Sequence, residues 1–261
     1  MDERLKISVI TVCFNSAKTI ADTLRSVAAQ THAEVEHIIV DGGSTDGTLT
    51  IIDRLRERLA TFISAPDRGV YDAMNKGIMR ATGDVVGFLN ADDVYADATA
   101  LEAVAAAFGT PGVDACYADL VYVEKQDMSR IVRYWRPVEY RLGLFRKGWM
   151  PPHPTFFVRR EVFARFGMFD LQYRLQADFE LAMRFLEVHL IRAAYIPRIL
   201  VNMRMGGMSN NSYLNILKGN LEAYQACRKN GLPVSIFFIL HKLCSRLPQF
   251  FSKPPSGATK S

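Results

Sequence analysis

The chain has 261 residues, 49 % hydrophobic and 23 % charged, which excludes a disordered chain and leaves room for one large α/β domain with or without a small appendage. Its four cysteines, Cys13, Cys116, Cys227 and Cys244, are too far apart for a CxxC site or a disulfide framework. The net charge of +5 hides an asymmetry: residues 1–124 carry −9 and residues 125–261 carry +14, without the dense basic runs or zinc-finger spacing that nucleic-acid binding needs.

The charged start, residues 1–6, leads straight into an apolar run and contains no secretory signal, so cytoplasmic residence is expected. Residues 7–13 are a β-branched run and predict a strand, followed by a loop that can cap a helix over 19–29. Residues 35–40 predict a second strand, closing in Asp41-Gly42-Gly43-Ser44-Thr45-Asp46-Gly47, then a helix over 48–58. A short strand over 60–64, a helix over 70–80, a strand over 85–89 and a helix over 98–108 continue the alternation. That βα rhythm predicts a mainly parallel sheet covered on both faces. Beyond Phe108 the pattern loosens: strands over 115–123 and 130–135 and helices over 159–166 and 178–188 predict a mixed extension. A helix over 212–229 follows. Residues 232–251 carry an apolar run, Val234 to Leu240, followed by His241, Lys242 and Arg246. The run is shorter than the roughly 20 residues a membrane span requires; it reads equally as an amphipathic helix on the membrane surface or as a core or dimer helix. The tail, 252–261, has the composition of a disordered segment.

The strand over 85–89 ends in Asn90-Ala91-Asp92-Asp93. Parallel sheets present their strand C-termini to the ligand crevice, and hard cations such as Mg²⁺ or Mn²⁺ take carboxylates there together with substrate phosphates. Asp92 and Asp93 are therefore candidate metal ligands for a diphosphate-bearing substrate; capping of the next helix is the competing explanation. Asp41, also at a strand end, can accept hydrogen bonds from a nucleotide base or ribose, or serve the glycine turn that follows it. Neither GxGxxG nor GxxxxGK[ST] is present, which disfavours dinucleotide and P-loop enzymes.

Four segments in this order, Ser8–Asn15, Val40–Thr48, Asp67–Gly77 and Phe88–Asp93, together resemble family 2 of the glycosyltransferases, most closely bacterial members that build exopolysaccharide, O-antigen and colanic-acid-type repeat units. The resemblance covers roughly the first 210 residues and implies the GT-A fold. It divides the chain into a GT-A domain at 1–210, with a nucleotide-sugar half at 1–110 and an acceptor half at 111–210, and a helical region at 211–251.

By position, the resemblance implies an inverting transfer from a nucleotide-diphosphate sugar to a saccharide or lipid-linked saccharide. Thr11, Cys13, Asn15, Asp41, Asp72, Asn75, Lys76, Asn90, Ala91 and Asp92 would surround the nucleotide, with Lys76 also readable as a solvated surface charge. Asp92 takes the metal end of the DXD motif, whose first acid is here Asn90. Asp178 would be the general base, with a charge favoured by the dipole at a helix N-terminus as the competing explanation. His153, in Met150–Phe156, would meet the acceptor or serve as a structural hydrogen-bond donor. Arg204, at the start of a glycine-containing loop, would neutralise the diphosphate or be a solvated arginine beside an ordinary glycine turn. Trp135 and Trp149 fit either sugar stacking or simple burial. A nucleotidyltransferase or sugar-nucleotide hydrolase, and an inactive nucleotide-sugar-binding subunit, are the rival expectations.

Overall fold

The structure, a computed structural model, describes residues 5–206, 213–235, 237–244 and 249. Strand β1 (Ile7–Cys13) buries every side chain, as a strand covered on both faces must. It pairs in parallel with β2 (Val35–Asp41) on one side and β4 (Val85–Phe88) on the other, and β3 (Thr61–Ser64) extends the sheet beyond β2. Further along the chain come β5 (Val94–Tyr95), β6 (Ala115–Val123), β7 (Ile131–Trp135), β8 (Phe157–Arg159) and β9 (Ala193–Arg204). The nine-stranded sheet runs β3-β2-β1-β4-β8-β6-β9-β5, with β7 alongside β6.

One reversal decides where the chemistry can sit. Strand β8 is antiparallel to both β4 and β6, so β6 and its parallel neighbour β9 run in the same direction as β1 to β4. The C-terminal ends of all six strands therefore meet one edge of the sheet.

The helices are α1 (Ile20–Ala28), α2 (Thr48–Arg54), α3 (Val70–Ile78), α4 (Ala100–Phe108), α5 (Arg160–Phe166), α6 (Ala177–Met183), α7 (Tyr213–Lys229) and α8 (Phe238–Cys244). Alternation along β1 sends Ile10 and Val12 into a core shared with α3, α5 and α6, and Ile7 and Val9 into one shared with α4. Helix α1 buries Ile20, Leu24 and Val27, spaced so that they share one face, and each such side chain contributes roughly 1.5–3 kcal/mol on burial. Two glycines make room for neighbouring side chains. A Cβ on Gly77 of α3 would lie 2.4 Å from Ile10 Cγ2, and one on Gly87 of β4 would lie 2.2 Å from the Phe157 ring.

Three expectations change. The helix expected over 48–58 stops at Arg54 and passes into a 3₁₀ turn, Arg56–Arg58. The one expected over 178–188 leaves α-geometry after Met183 and continues as a π-helical turn, Arg184–Val188. Strand β9, twelve residues long, was not expected, and it contains Pro197, a residue that cannot donate to a ladder. The structure accommodates the proline in a bulge: Ala118 pairs with Ile196 and Asp119 with Ile199, leaving Pro197 and Arg198 out of the ladder.

Candidate active site

The loops at the C-terminal edge are tied to one another by polar side chains. Asp41, fully buried at the end of β2, accepts from Gly43 N (2.9 Å), Ser44 N (3.0 Å) and Ser64 Oγ (2.7 Å) on Oδ2, and from Ser44 Oγ (2.5 Å) on Oδ1. The Cys13 thiol also points at Oδ1, at 3.6 Å. Burial alone pushes the Asp41 carboxyl up, but the hydrogen bonds from Ser44, Ser64 and Gly43 outweigh it and hold the group below the usual carboxylate range. Asn15, with φ +50°, joins the first loop to the second: its N–H donates to Ser44 Oγ (2.8 Å), and its Oδ1 accepts from Thr45 N (2.9 Å). Thr11 lies deeper, buried within β1 and paired with His37 Nε2 at 3.0 Å.

Sequence reasoning missed Phe14. This ring is 63 % exposed at the same rim, and its Cδ2 lies 3.5 Å from where a Gly42 Cβ would be. Its signal was available, since an aromatic in a loop after a central strand has no core to enter.

Across the rim, the turn after β4 separates its two acids. Asp93 is buried, with Oδ2 accepting from Asn90 Nδ2 (3.1 Å) and Oδ1 from Arg204 N (3.2 Å), and burial followed by the charge of Asp92 pushes its carboxyl well up. Asp93, expected to assist in metal binding, thus has both oxygens engaged in holding the turn to β9. Asp92 is half-buried, and its carboxylate accepts no hydrogen bond from another of the described residues; desolvation raises it too. Ala91 packs in the small core beneath, beside Cys13 and Ile20.

Arg204, the last residue of β9, stands behind Asp92. Its Nη1 donates to the Asp92 carbonyl (3.1 Å), its Nη2 to Asp22 Oδ2 (2.6 Å), and its buried Nε has no partner among the described residues. The rest of the glycine loop expected to close over the diphosphate, 207–209, lies outside the described residues.

Helix α3 carries three of the predicted residues into different roles. Asp72 accepts from Arg68 N (3.1 Å) and Arg68 Nη2 (3.0 Å), with Lys76 Nζ at 3.5 Å, and the bonds from Arg68 hold it below the usual range. Lys76 also donates to the Pro66 carbonyl (2.9 Å). Asn75 is buried, and its amide is spent on both backbone groups of Phe169, at 2.9 and 3.0 Å, which fastens α3 to the loop preceding α6.

Asp178 occupies the first turn of α6. Tyr71 of α3 donates to its Oδ1 at 3.0 Å, as does Phe179 N at 2.9 Å, while Oδ2 accepts nothing from the described residues. Burial, then the nearby Asp178 charge, pushes the Tyr71 phenol well above its usual range and keeps it a donor. The segment entering α6 is held from behind: Glu222 of α7 accepts from Leu175 N (2.8 Å) and Gln176 N (3.1 Å), and Lys242 of α8 donates to Gln176 Oε1 (2.5 Å). His153 stacks on Phe88 with ring centroids 5.3 Å apart, next to Phe169. Its Nε2 is buried without a partner among the described residues, and desolvation lowers the imidazole more than the charge of Asp178 raises it.

The structure thus brings Asp41, Asn15, Asp92 and Arg204 to one rim and sets Asp178 beside it through Tyr71. Trp149 packs among Tyr117, Tyr140 and Phe145, and Trp135 stacks on Tyr122 with ring planes 5° apart; both aromatics serve packing.

Residues 8–167 match the family described as Glycosyl transferase family 2. The chain belongs to that family. A PGL/p-HBAD biosynthesis glycosyltransferase of Mycobacterium bovis (strain BCG / Pasteur 1173P2) is 35 % identical over 208 residues, covering 78 % of each chain. An uncharacterized glycosyltransferase of Mycobacterium tuberculosis (strain CDC 1551 / Oshkosh) is 33 % identical over 184 residues, 68 % of each. Among solved structures, mannosyltransferase PcManGT from Pyrobaculum calidifontis, in complex with GDP-Man and Mn²⁺, superposes with TM-score 0.66 at 21 % identity, covering 93 % of this chain and 70 % of that one. S. aureus TarS 1–349 gives 0.65 at 19 % identity, covering 97 % and 74 %. The fold of this family 2 glycosyltransferase is GT-A, with a mixed, mostly parallel sheet between helical layers.

Proposed function

We propose that this family 2 glycosyltransferase moves a sugar from a nucleotide-diphosphate donor to a hydroxyl of a saccharide or lipid-linked saccharide, with inversion at the anomeric carbon. The observation that carries this reading is the asymmetric bonding of Asp178, whose Oδ1 is fixed by Tyr71 and Phe179 while Oδ2 is left to take a proton. A carboxylate held in one orientation at a helix start is what a single displacement needs on the acceptor side. The residues 1–110 form the donor half and 111–210 the acceptor half of the domain.

A divalent cation fits the donor edge. Asp92 is half-buried and its carboxylate has no other described partner. A lone strand-end carboxylate of this kind suits Mg²⁺ or Mn²⁺, which complete their shell with phosphate oxygens and water. Asp92 would hold the ion, which when bound supplies positive charge to the departing diphosphate. Arg204 offers that diphosphate its Nε, since its other donors hold Asp22 and the Asp92 carbonyl. Asp41 and Asn15 set the loop conformation under the base and ribose, and Phe14 supplies a face on which a base stacks. His153, whose Nε2 lacks a partner, meets the acceptor. The reading places the enzyme in the cytoplasm with peripheral contact at the inner membrane, in cell-surface polysaccharide synthesis of the exopolysaccharide or lipopolysaccharide type; this last point rests on the motif resemblance.

Thermal shift with UDP, GDP and dTDP, each with and without Mn²⁺, tests the donor side. A ligand at 100 times its Kd stabilises the fold by about 2.7 kcal/mol. The proposal expects one nucleotide to stabilise only when the ion is present, and nucleoside diphosphate as the product of turnover. Release of pyrophosphate or nucleoside monophosphate would instead mark attack at phosphorus.

A further inference from the structure

Helices α7 and α8 form a hairpin that turns an unusual face outward. Gln176 meets both helices, with Lys242 Nζ donating to its Oε1 at 2.5 Å and its Nε2 lying 3.3 Å from the position of a Gly219 Cβ. Tyr224 and Phe238 pack at 6.3 Å, so the chain has doubled back between them. The inner face of α7 is fully buried at Ala223, Ala226 and Cys227, and α8 buries Phe238 and Lys242, whose ammonium lies 4.4 Å above the Phe179 ring. The core-helix expectation for the C-terminal segment therefore holds for one face of α8.

The outer faces are apolar where water would favour charge. On α7, Leu214, Leu217 and Leu221 follow i, i+3, i+7 spacing; on or just before α8, Phe237, Leu240 and Leu243 follow i, i+3, i+6. These six side chains range from 42 % exposed at Leu243 to 68 % at Leu214. Lys218 and Arg228 lie exposed on the same side of α7 as the leucines, and Glu222, the one acid of residues 213–261, is turned to the backbone of Leu175 and Gln176. A row of large apolar side chains edged by cations is the composition of a helix lying in a bilayer interface.

We infer that the α7–α8 hairpin seats this protein on an anionic phospholipid bilayer. The charge selects this occupant over a second copy of the chain, because a second copy would bring an equal positive charge to the contact. No helix of the described residues is long and apolar enough to cross a membrane, so the contact is interfacial. The hairpin also grips the segment that enters α6, through Glu222 and Lys242, so the lipid-facing surface and Asp178 belong to one packed unit. This inference deepens the proposed function by naming the surface that brings the enzyme to a lipid-linked acceptor, and its lipid contact is measurable without turnover.

Co-sedimentation of the full chain with vesicles of phosphatidylglycerol and phosphatidylcholine, against vesicles of phosphatidylcholine alone, tests it. The expected result is binding to the anionic vesicles only, weakened as NaCl rises from 0.1 to 1 M and the screening length falls from about 10 to about 3 Å. A Leu217→Glu, Leu240→Glu double variant changes exposed positions only; it should lose at least tenfold in vesicle affinity while keeping its circular dichroism and its nucleotide-induced thermal shift. Equal binding by the variant, or no binding by the native chain, overturns the inference. So does a dimer by light scattering that the variant dissolves, since a second copy would then cover the face. Loss of the nucleotide shift in the native chain would strike the donor reading and leave the lipid result standing.

Discussion

Tyr71 on α3 and Asp178 on α6, 107 residues apart in sequence, share a 3.0 Å hydrogen bond that joins the helix after β3 to the helix that precedes β9. Removing the phenol oxygen tests whether this bond orients the carboxylate. Tyr71→Phe keeps the ring contact with Phe169 at 5.3 Å and is expected to lower kcat about tenfold, the equivalent of ~1.4 kcal/mol, with donor KM little changed. Steady-state kinetics with both substrates measures that split, and an unchanged kcat would make the bond structural only.

Phe14 gives a test of the proposed nucleotide rim that leaves the carboxylates untouched. Phe14→Ala removes an exposed ring and should leave folding stability nearly unchanged. Nucleotide affinity by calorimetry is expected to fall by about 1–3 kcal/mol, the range found for stacking of a base on an aromatic side chain. Equal affinity would place the base elsewhere.

The Phe157 ring lies where a side chain on Gly87 would be. Gly87→Ala puts a methyl group 2.2 Å from the ring, and Phe157 is itself fully buried. Urea unfolding is expected to show a loss of about 1–3 kcal/mol, the usual cost of overpacking a filled core.

His37 supplies a pH dependence. Burial lowers its imidazole from 6.5 to about 3, so the folded protein holds it neutral while the unfolded chain takes up a proton below about pH 6.5. Its contribution to stability is complete above that pH and is lost as the pH falls toward 3. Across that window this one group gives a slope of up to ~1.4 kcal/mol per pH unit. In His37→Gln, unfolding free energies between pH 6 and 4 should flatten by about that amount; an unaltered slope would mean that the native imidazole is already charged.

The first half of the fold was legible because its strands are buried runs and its loops carry turn residues at the strand ends: β1, β2 and β4 lie where the apolar runs place them. Asp92 and Asp41 were legible as strand-end acids for the same reason. Residues 111–210 were harder to read. Strand β9 carries Pro197 in a bulge and so lacks an unbroken strand pattern, and β8, at three residues, gives no periodicity. Long-range partners were invisible: Asn75 is committed to Phe169, Asp93 to Asn90 and Arg204, and Lys242 to Gln176, although each reads as an available polar group along the chain. Tyr71 was passed over because its partner lies on another helix.

The central claim, that the free oxygen of Asp178 takes the acceptor's proton, is tested most directly by Asp178→Asn. Asparagine fills the same space and keeps an oxygen for Tyr71 but cannot accept that proton. The account predicts a loss of kcat of about 10²–10⁴-fold with nucleotide affinity unchanged in the same preparation. Turnover at the native rate would contradict it.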